Sequence, residues 1–232
     1  MIIKIHPFWY LIFGIIGMAA IHMSFSVGLL AWIAYAPFLI YLSITKGIKT
    51  RLSFVIALII AWTLVTAKII TAPIPPGFIF LFSFPIALFH LPAYLLWDRF
   101  KTQRWSLFLF PAMLTVMEWI QYTYTPFASW GVAAYTQLNS ISMMQTVSLF
   151  GMAGLSFLIY WANISIAEII ITKKSSLLTF QIPLSVLLVL ITFGALRYEL
   201  SKSKGKDTMI VAAGGTDSEV SGLPLLSKES ND

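Results

Sequence analysis

Apolar runs of membrane-spanning length recur along this chain, and they restrict the fold more than any other feature. They cover residues 8–23, 27–44, 52–70, 78–97, 105–123, 143–171 and 177–196. A helix needs roughly 17–25 largely apolar residues to cross about 30 Å of hydrocarbon. In lipid it is also the form in which one segment satisfies its own backbone. The runs therefore predict an all-α polytopic transmembrane bundle of about seven spans, over residues 1–200, followed by a polar tail at 201–232.

Composition supports this class. Hydrophobic residues make up 59% of the 232 and charged residues only 10%, with mean hydropathy +0.86; an average soluble domain is about 25% charged. The net charge of +6 does not point to nucleic acid, because the basic residues form short clusters between apolar runs rather than one basic face. There is no cysteine, which excludes disulfides, thiolate metal sites and a cysteine nucleophile within these residues. His6, His22 and His90 fall on different elements without ligand spacing. No metal site and no cofactor are expected.

The basic clusters set an orientation. Lys46, Lys49 and Arg51 form the first, the segment Asp98 to Arg104 the second, and Lys173 with Lys174 the third. They alternate with links that lack Lys and Arg, so the positive-inside rule puts the N-terminus in the cytoplasm and residues 124–142 outside. An odd number of spans then leaves the tail outside, against the weaker opposing bias of Arg197, Lys202, Lys204 and Lys206. The first run is read as an uncleaved helix, since no small-x-small site precedes a polar mature region. Pro37 is expected inside the second span, tolerated because neighbouring helices can satisfy the freed carbonyl. In the tail, Thr208 to Ala213 has strand character and Gly214-Gly215 would end it. Alone, such a strand cannot bury its faces, and a disordered tail is the plain alternative.

Chemistry concentrates between Pro111 and Asn163, where two apolar runs flank a segment rich in Trp, Tyr, Gln and Asn. Glu118 lies within the fifth run, where a carboxylate must face a bundle interior or a watery cavity. It is either a polar anchor for an outward-facing cavity or a structural acid paired with Gln121, a tyrosine hydroxyl or Lys68. Lys68, near the end of its own span, either snorkels to the interface or makes that pair. His90 is expected to be a hydrogen-bonded core residue, and Glu168 to be interfacial near Lys173. The outward segment holds Tyr122, Tyr124, Phe127, Trp130 and Tyr135 with Gln137 and Asn139. These form an interfacial aromatic belt, or a platform for lipid headgroups and acyl chains. Gly151 and Gly154, with Ala153 and Ser156, make a small-residue face suited to close helix packing. Nucleophile elbows, phosphate-cradling glycine loops and paired catalytic carboxylates are missing.

At this corner the sequence resembles the membrane domain of apolipoprotein N-acyltransferase. The family pattern runs through a proline-led helix with Glu-aromatic-Leu-Arg, then Pro-Trp, Gly-Tyr-Ser-Gln, and a helix with a Gly-x-x-Gly turn followed by Ser-Phe. The matching residues are Pro111-Ala112, Glu118-Trp119-Ile120-Gln121, Ser129-Trp130, Ala134-Tyr135-Thr136-Gln137 and Gly151 to Phe157. Leu30-Ala31-Trp32 and Ala36-Pro37-Phe38-Leu39 resemble its second-helix signature. The likeness covers about residues 8–200, with its specific part at 111–163. Gln121 replaces Arg, Ser129 replaces Pro and Ala134 replaces Gly.

The resemblance implies a place in the bacterial inner membrane and a role in lipoprotein N-acylation with a phospholipid acyl donor. Glu118, Trp119, Gln121, Trp130, Tyr135 and Gln137 are the implied lipid- and substrate-binding candidates, and no residue is assigned as catalytic. Implied partners are the phospholipid bilayer, a diacylated lipoprotein and a separate nitrilase-like domain or chain. In the family such a domain performs acyl transfer with Glu, Lys and Cys through a thioester, which requires a thiolate. The chain is thus expected not to catalyse transfer alone, and 208–213 resembles the first strand of that domain. The alternative is a noncatalytic paralogue or scaffold that binds lipid or lipoprotein. A small transporter is disfavoured, because the spans lack paired ionisable residues and inverted repeats.

Overall fold

The computed structural model describes residues 6–22, 26–68, 75–174 and 176–202. Seven helices follow one another: α1 (Pro7–Ile21), α2 (Ala36–Ile44), α3 (Ile48–Ala67), α4 (Gly77–Phe100), α5 (Ser106–Tyr124), α6 (Ile141–Thr172) and α7 (Ile182–Lys202). Short 3₁₀ segments at Gly28–Trp32 and Ala133–Gln137 precede α2 and α6, and a π-helical turn at Leu177–Gln181 leads into α7. No strand occurs among the described residues. The expected helical bundle is present. The strand expected at Thr208–Ala213 lies outside the described residues.

Four helical stretches are long and apolar enough to cross a membrane: Ile48–Ala67, Gly77–Phe100, Ile141–Thr172 and Leu177–Ser201. The second expected span, 27–44, is not one continuous helix. It breaks between Trp32 and Ala36, and Pro37 stands in the first turn of α2 rather than inside a longer helix. The reason is local, since proline lacks an N–H and has a fixed φ, which suits the first helical turn. The break is held by α6. Asn163 Oδ1 accepts from the Tyr35 and Ala36 amides at 2.8 and 3.0 Å, while its Nδ2 donates to the carbonyls of Ala31 and Ile159, both at 2.8 Å. One side chain thus satisfies the orphan groups on both sides of the break, which is how irregular backbone survives at membrane depth.

Helix α2 lies at the centre. Ala36 and every residue from Phe38 to Leu42 are buried, and α2 touches α1, α3, α4 and α6. Edge-on aromatic contacts extend through the core from Phe54 to Phe38, Tyr94, Phe110 and Tyr160, with centroid separations of 5.0 to 6.2 Å. Buried alanines at 31, 34, 57, 61, 87 and 93 let backbones approach closely, the usual basis of helix association where lipid removes the hydrophobic drive.

One end of the bundle is tied by charge. Arg51 at the start of α3 donates through Nε (2.9 Å) and Nη2 (2.7 Å) to Oδ2 of Asp98 near the end of α4. Lys101 donates to the other carboxylate oxygen at 2.8 Å and to the Leu42 carbonyl at 2.7 Å, capping the last turn of α2. Two of the basic clusters therefore meet on one side of the bundle.

Candidate functional site: the polar corner between α5 and α6

The link between α5 and α6 folds back over the helix ends, and buried side chains beneath it hold its backbone. Glu118 on α5 is 2% exposed. Its Oε1 accepts from the Ala133 amide at 2.7 Å and from the Tyr160 hydroxyl of α6 at 2.5 Å. Of the partners that the sequence leaves open for this acid, the tyrosine hydroxyl is the one present. Lys68 donates instead to the Ala19 carbonyl at 2.5 Å.

Gln121, one helical turn after Glu118, donates through Nε2 to the carbonyls of Trp130 (2.7 Å) and Ala128 (3.2 Å). On α6, Ser156 Oγ accepts from the Ala134 amide at 3.1 Å. Gln137 Nε2 donates to the Gly28 carbonyl at 2.8 Å, joining this link to the 3₁₀ segment before α2. The link has tight geometry of its own: Ala128 adopts φ 47° and Gly131 φ 77°. At Gly131 a Cβ would strike the indole ring of Trp62, so both the backbone and the space call for glycine. Residues that carry the resemblance at 118, 121, 130, 134 and 156 are therefore joined in one hydrogen-bond scaffold.

Under this scaffold lies a cavity of about 410 Å³ lined by His22, Ser129, Trp130, Val132, Tyr135, Thr136 and Asn139, among others. Its wall combines two aromatic rings, several hydroxyl and amide groups, and one imidazole. His22 is fixed from behind by a 2.8 Å bond between Nε2 and the Tyr35 hydroxyl. The Tyr35 ring meets the Tyr160 ring edge-on at 4.9 Å. A file of polar side chains, His22, Tyr35, Tyr160 and Glu118, thus runs from the cavity wall to the acid. Trp130 is braced by Phe82 of α4, with ring centroids 5.6 Å apart.

The six candidate residues separate by position. Trp130 and Tyr135 line the cavity. Glu118, Gln121 and Gln137 are buried and bond to backbone, so they shape the link rather than face the cavity. Trp119 is 45% exposed, packs edge-on against Tyr124 and is not a lining residue. Gly151, expected on a helix-packing face, stands at a kink in α6 with φ 66° and ψ −174°, and beyond its chain neighbours and the adjacent helix backbone no atom lies within 4 Å of the place its Cβ would occupy. The Cβ of an alanine at 154 would meet the Phe150 side chain of the same helix.

Sequence reasoning missed His22, Tyr35 and Asn163 as contributors, placed Ser156 on a packing face only, and expected a tyrosine hydroxyl beside Glu118 without singling out Tyr160. A histidine near one helix end and tyrosines inside apolar spans are ordinary features, and only their convergence gives them a role. His90 behaves as expected: it is buried, with Nδ1 bonded to the Ile86 carbonyl at 2.8 Å and its ring 4.6 Å from that of Trp62. Among the described residues no group of three potential metal ligands comes together.

Comparison with known proteins gives two findings. The family model described as the apolipoprotein N-acyltransferase N-terminal domain matches residues 13–165. The apolipoprotein N-acyltransferase of Borreliella burgdorferi is 33% identical over 88 residues, a stretch covering 36% of this chain and 17% of the relative. The chain thus matches less than a fifth of that protein's length. No solved structure matches the chain at a significant level.

Proposed function

The chain belongs to the apolipoprotein N-acyltransferase N-terminal domain family, and from that premise we propose that it is the membrane module of a lipoprotein N-acylation system. In this reading it sits in the bacterial inner membrane with the Ala128–Gln137 link facing outward. There it handles a phospholipid acyl donor and a diacylated lipoprotein. The observation that carries the proposal is the cavity of about 410 Å³ walled by Trp130, Tyr135, Thr136 and His22. Aromatic faces suit glyceride and acyl groups, while hydroxyl, amide and imidazole groups suit a headgroup or a peptide terminus. The buried bonds of Glu118, Gln121, Ser156 and Gln137 keep that wall in one shape, so binding does not have to order it first.

Acyl transfer through a thioester needs a thiolate, and these 232 residues contain no cysteine. The thiol would come from a nitrilase-like domain or chain beside the outward link. In a second reading, favoured by the burial of Glu118, Gln121 and Gln137 in bonds to backbone, the chain binds lipid or lipoprotein without reacting.

A photoactivatable phospholipid and a photoactivatable diacylated lipopeptide, each added to the protein in nanodiscs, test the assignment. Crosslinks concentrated in residues 129–139 and displaced by unlabelled lipopeptide are expected. Labelling spread evenly over lipid-facing helices would remove the assignment. The two readings separate when the same preparation receives a purified nitrilase-like acyltransferase domain: N-acylated product supports the first, and binding without product supports the second.

A further inference from the structure

A second concavity lies at the opposite end of α1 from the polar corner. It measures about 610 Å³ and runs between α1 and α3, with the end of α2 at its mouth. Its apolar walls are one stripe from each helix: Leu11, Ile12 and Ile15 of α1, and Ile56, Ala57 and Ile60 of α3. Phe8, Ile56 and Ile60 are 57%, 51% and 44% exposed, so the groove is open to the surroundings of the bundle. With Phe8 and Ser53 included, the lining runs from Phe8 to Ile15 and from Ser53 to Ile60, about 10 Å along each helix at about 1.5 Å per residue. That is much of one leaflet's depth, since the full hydrocarbon core is about 30 Å.

The mouth is polar but makes no net demand for donors. Thr45, Thr50 and Ser53 line it, and their hydroxyls already donate to the carbonyls of Tyr41, Gly47 and Lys49 at 2.7, 2.8 and 3.0 Å. What distinguishes it is charge. The chain has no Asp or Glu before Asp98, so the three helices that build the groove contain no acid at all. Lys46 and Lys49 flank the lining threonines and are exposed. Arg51 is committed to Asp98, which Lys101 also pairs. A groove of acyl-chain character therefore opens beside two lysines with no acid of the groove's own helices to balance them.

We propose that this groove holds one acyl chain of an anionic glycerophospholipid, with its phosphate beside Lys46 and Lys49. A zwitterionic lipid would fill the apolar part equally well but leave the lysines' charge less balanced. The site is separate from the cavity near Trp130, because α1 enters the groove with its first turns and reaches the cavity only at its end, at His22.

Native mass spectrometry of the full chain, released from detergent after exchange against equal amounts of phosphatidylglycerol and phosphatidylcholine, tests this. One phosphatidylglycerol is expected to remain bound in preference to phosphatidylcholine. A Lys46→Gln, Lys49→Gln double variant should reduce that preference roughly ten- to thirty-fold, from the attraction of each lysine to an anionic lipid surface. Ser53→Trp, which fills the mouth from an exposed position, should abolish retention. Trp130→Ala should leave retention unchanged, and so should an excess of glycerol phosphate. Equal retention of the two lipids, or a preference that survives the lysine substitutions, overturns the proposal. Loss of the lipid on Trp130→Ala would place it in the cavity instead, and displacement by glycerol phosphate would show a phosphate site without a lipid. Either result is equally fatal to it.

Discussion

Tyr160 on α6 donates its hydroxyl to Glu118 on α5 at 2.5 Å, with both side chains buried. The same carboxylate oxygen receives the Ala133 amide, so one buried acid couples two helices to the link that joins them. Removing it strands two buried donors. Glu118→Ala is expected to destabilise the protein by about 1–3 kcal/mol for each stranded group. Glu118→Gln, which keeps an acceptor oxygen, should cost less. Tyr160→Phe should cost on the order of 1 kcal/mol, in line with interhelical side-chain bonds in membranes. Unfolding in mixed micelles measures all three. A double variant whose cost equals the sum of the singles would show that the pair is not coupled.

Asn163 is expected to be the most sensitive polar residue of the bundle. Asn163→Leu leaves the Tyr35 amide and the Ala31 carbonyl without this partner and the Ala36 amide with only its 3.2 Å bond to the Ile33 carbonyl, a loss of several kcal/mol by the cost of unpaired buried groups. Hydrogen exchange should show early opening at the start of α2, while α3 and α4 remain protected. Uniform opening of all helices would assign Asn163 a global role instead.

Gly151 holds φ 66° and ψ −174°, a region open essentially to glycine alone. Space around it is empty, so any effect of Gly151→Ala comes from the backbone. The variant should lose about 1–3 kcal/mol or straighten α6. A straight helix of 32 residues would run about 48 Å, well beyond the hydrocarbon core. Spin labels at Met144 and Ile166 should report the change as a longer separation.

The lipid handling proposed for the corner separates the tryptophans. Trp130→Ala is expected to lower photolabelling of residues 129–139 several-fold, because it removes a cavity wall. Trp119→Ala should leave labelling unchanged, since that side chain is not part of the wall. Trp97 is 1% exposed, so Trp97→Ala should cost about 3–5 kcal/mol as a core truncation and still leave labelling per folded molecule near normal. Equal labelling by Trp130→Ala and the parent chain would return Trp130 to a structural role.

Orientation is open to direct test, because the chain contains no cysteine and single cysteines can be introduced freely. A cysteine at Lys46 should react with an impermeant maleimide only after the inner membrane is opened, and one at Asn139 should react in intact spheroplasts. The reverse pattern would invert the assigned topology.

Much of the architecture was legible in the chain. The run at 78–97 lies within α4, the run at 177–196 within the helical stretch Leu177–Ser201, and residues 52–67 of the run at 52–70 within α3, because hydrocarbon dictates both length and composition. The run at 27–44 was less transparent. Pro37 and the apolar residues around it satisfy a span's composition, and nothing nearby signals that Asn163, 128 positions from Tyr35, closes the break. At the corner, Glu118 stood out because an acid inside an apolar run is costly. Its partner did not, since Tyr160 is one of nine tyrosines and looks like the rest.

The sequence by itself determined that this chain is a helical membrane bundle, which loops carry the positive charge, and where polar chemistry gathers. Those properties are local: each depends on what a short segment costs to place in hydrocarbon or at its boundary. Only the tertiary structure decided that Glu118, Gln121 and Gln137 brace the link between α5 and α6 while Trp130 and Tyr135 face the cavity with His22. That division follows from the rotation and depth of each helix against its neighbours, which packing sets across the whole bundle and no single stretch of sequence records.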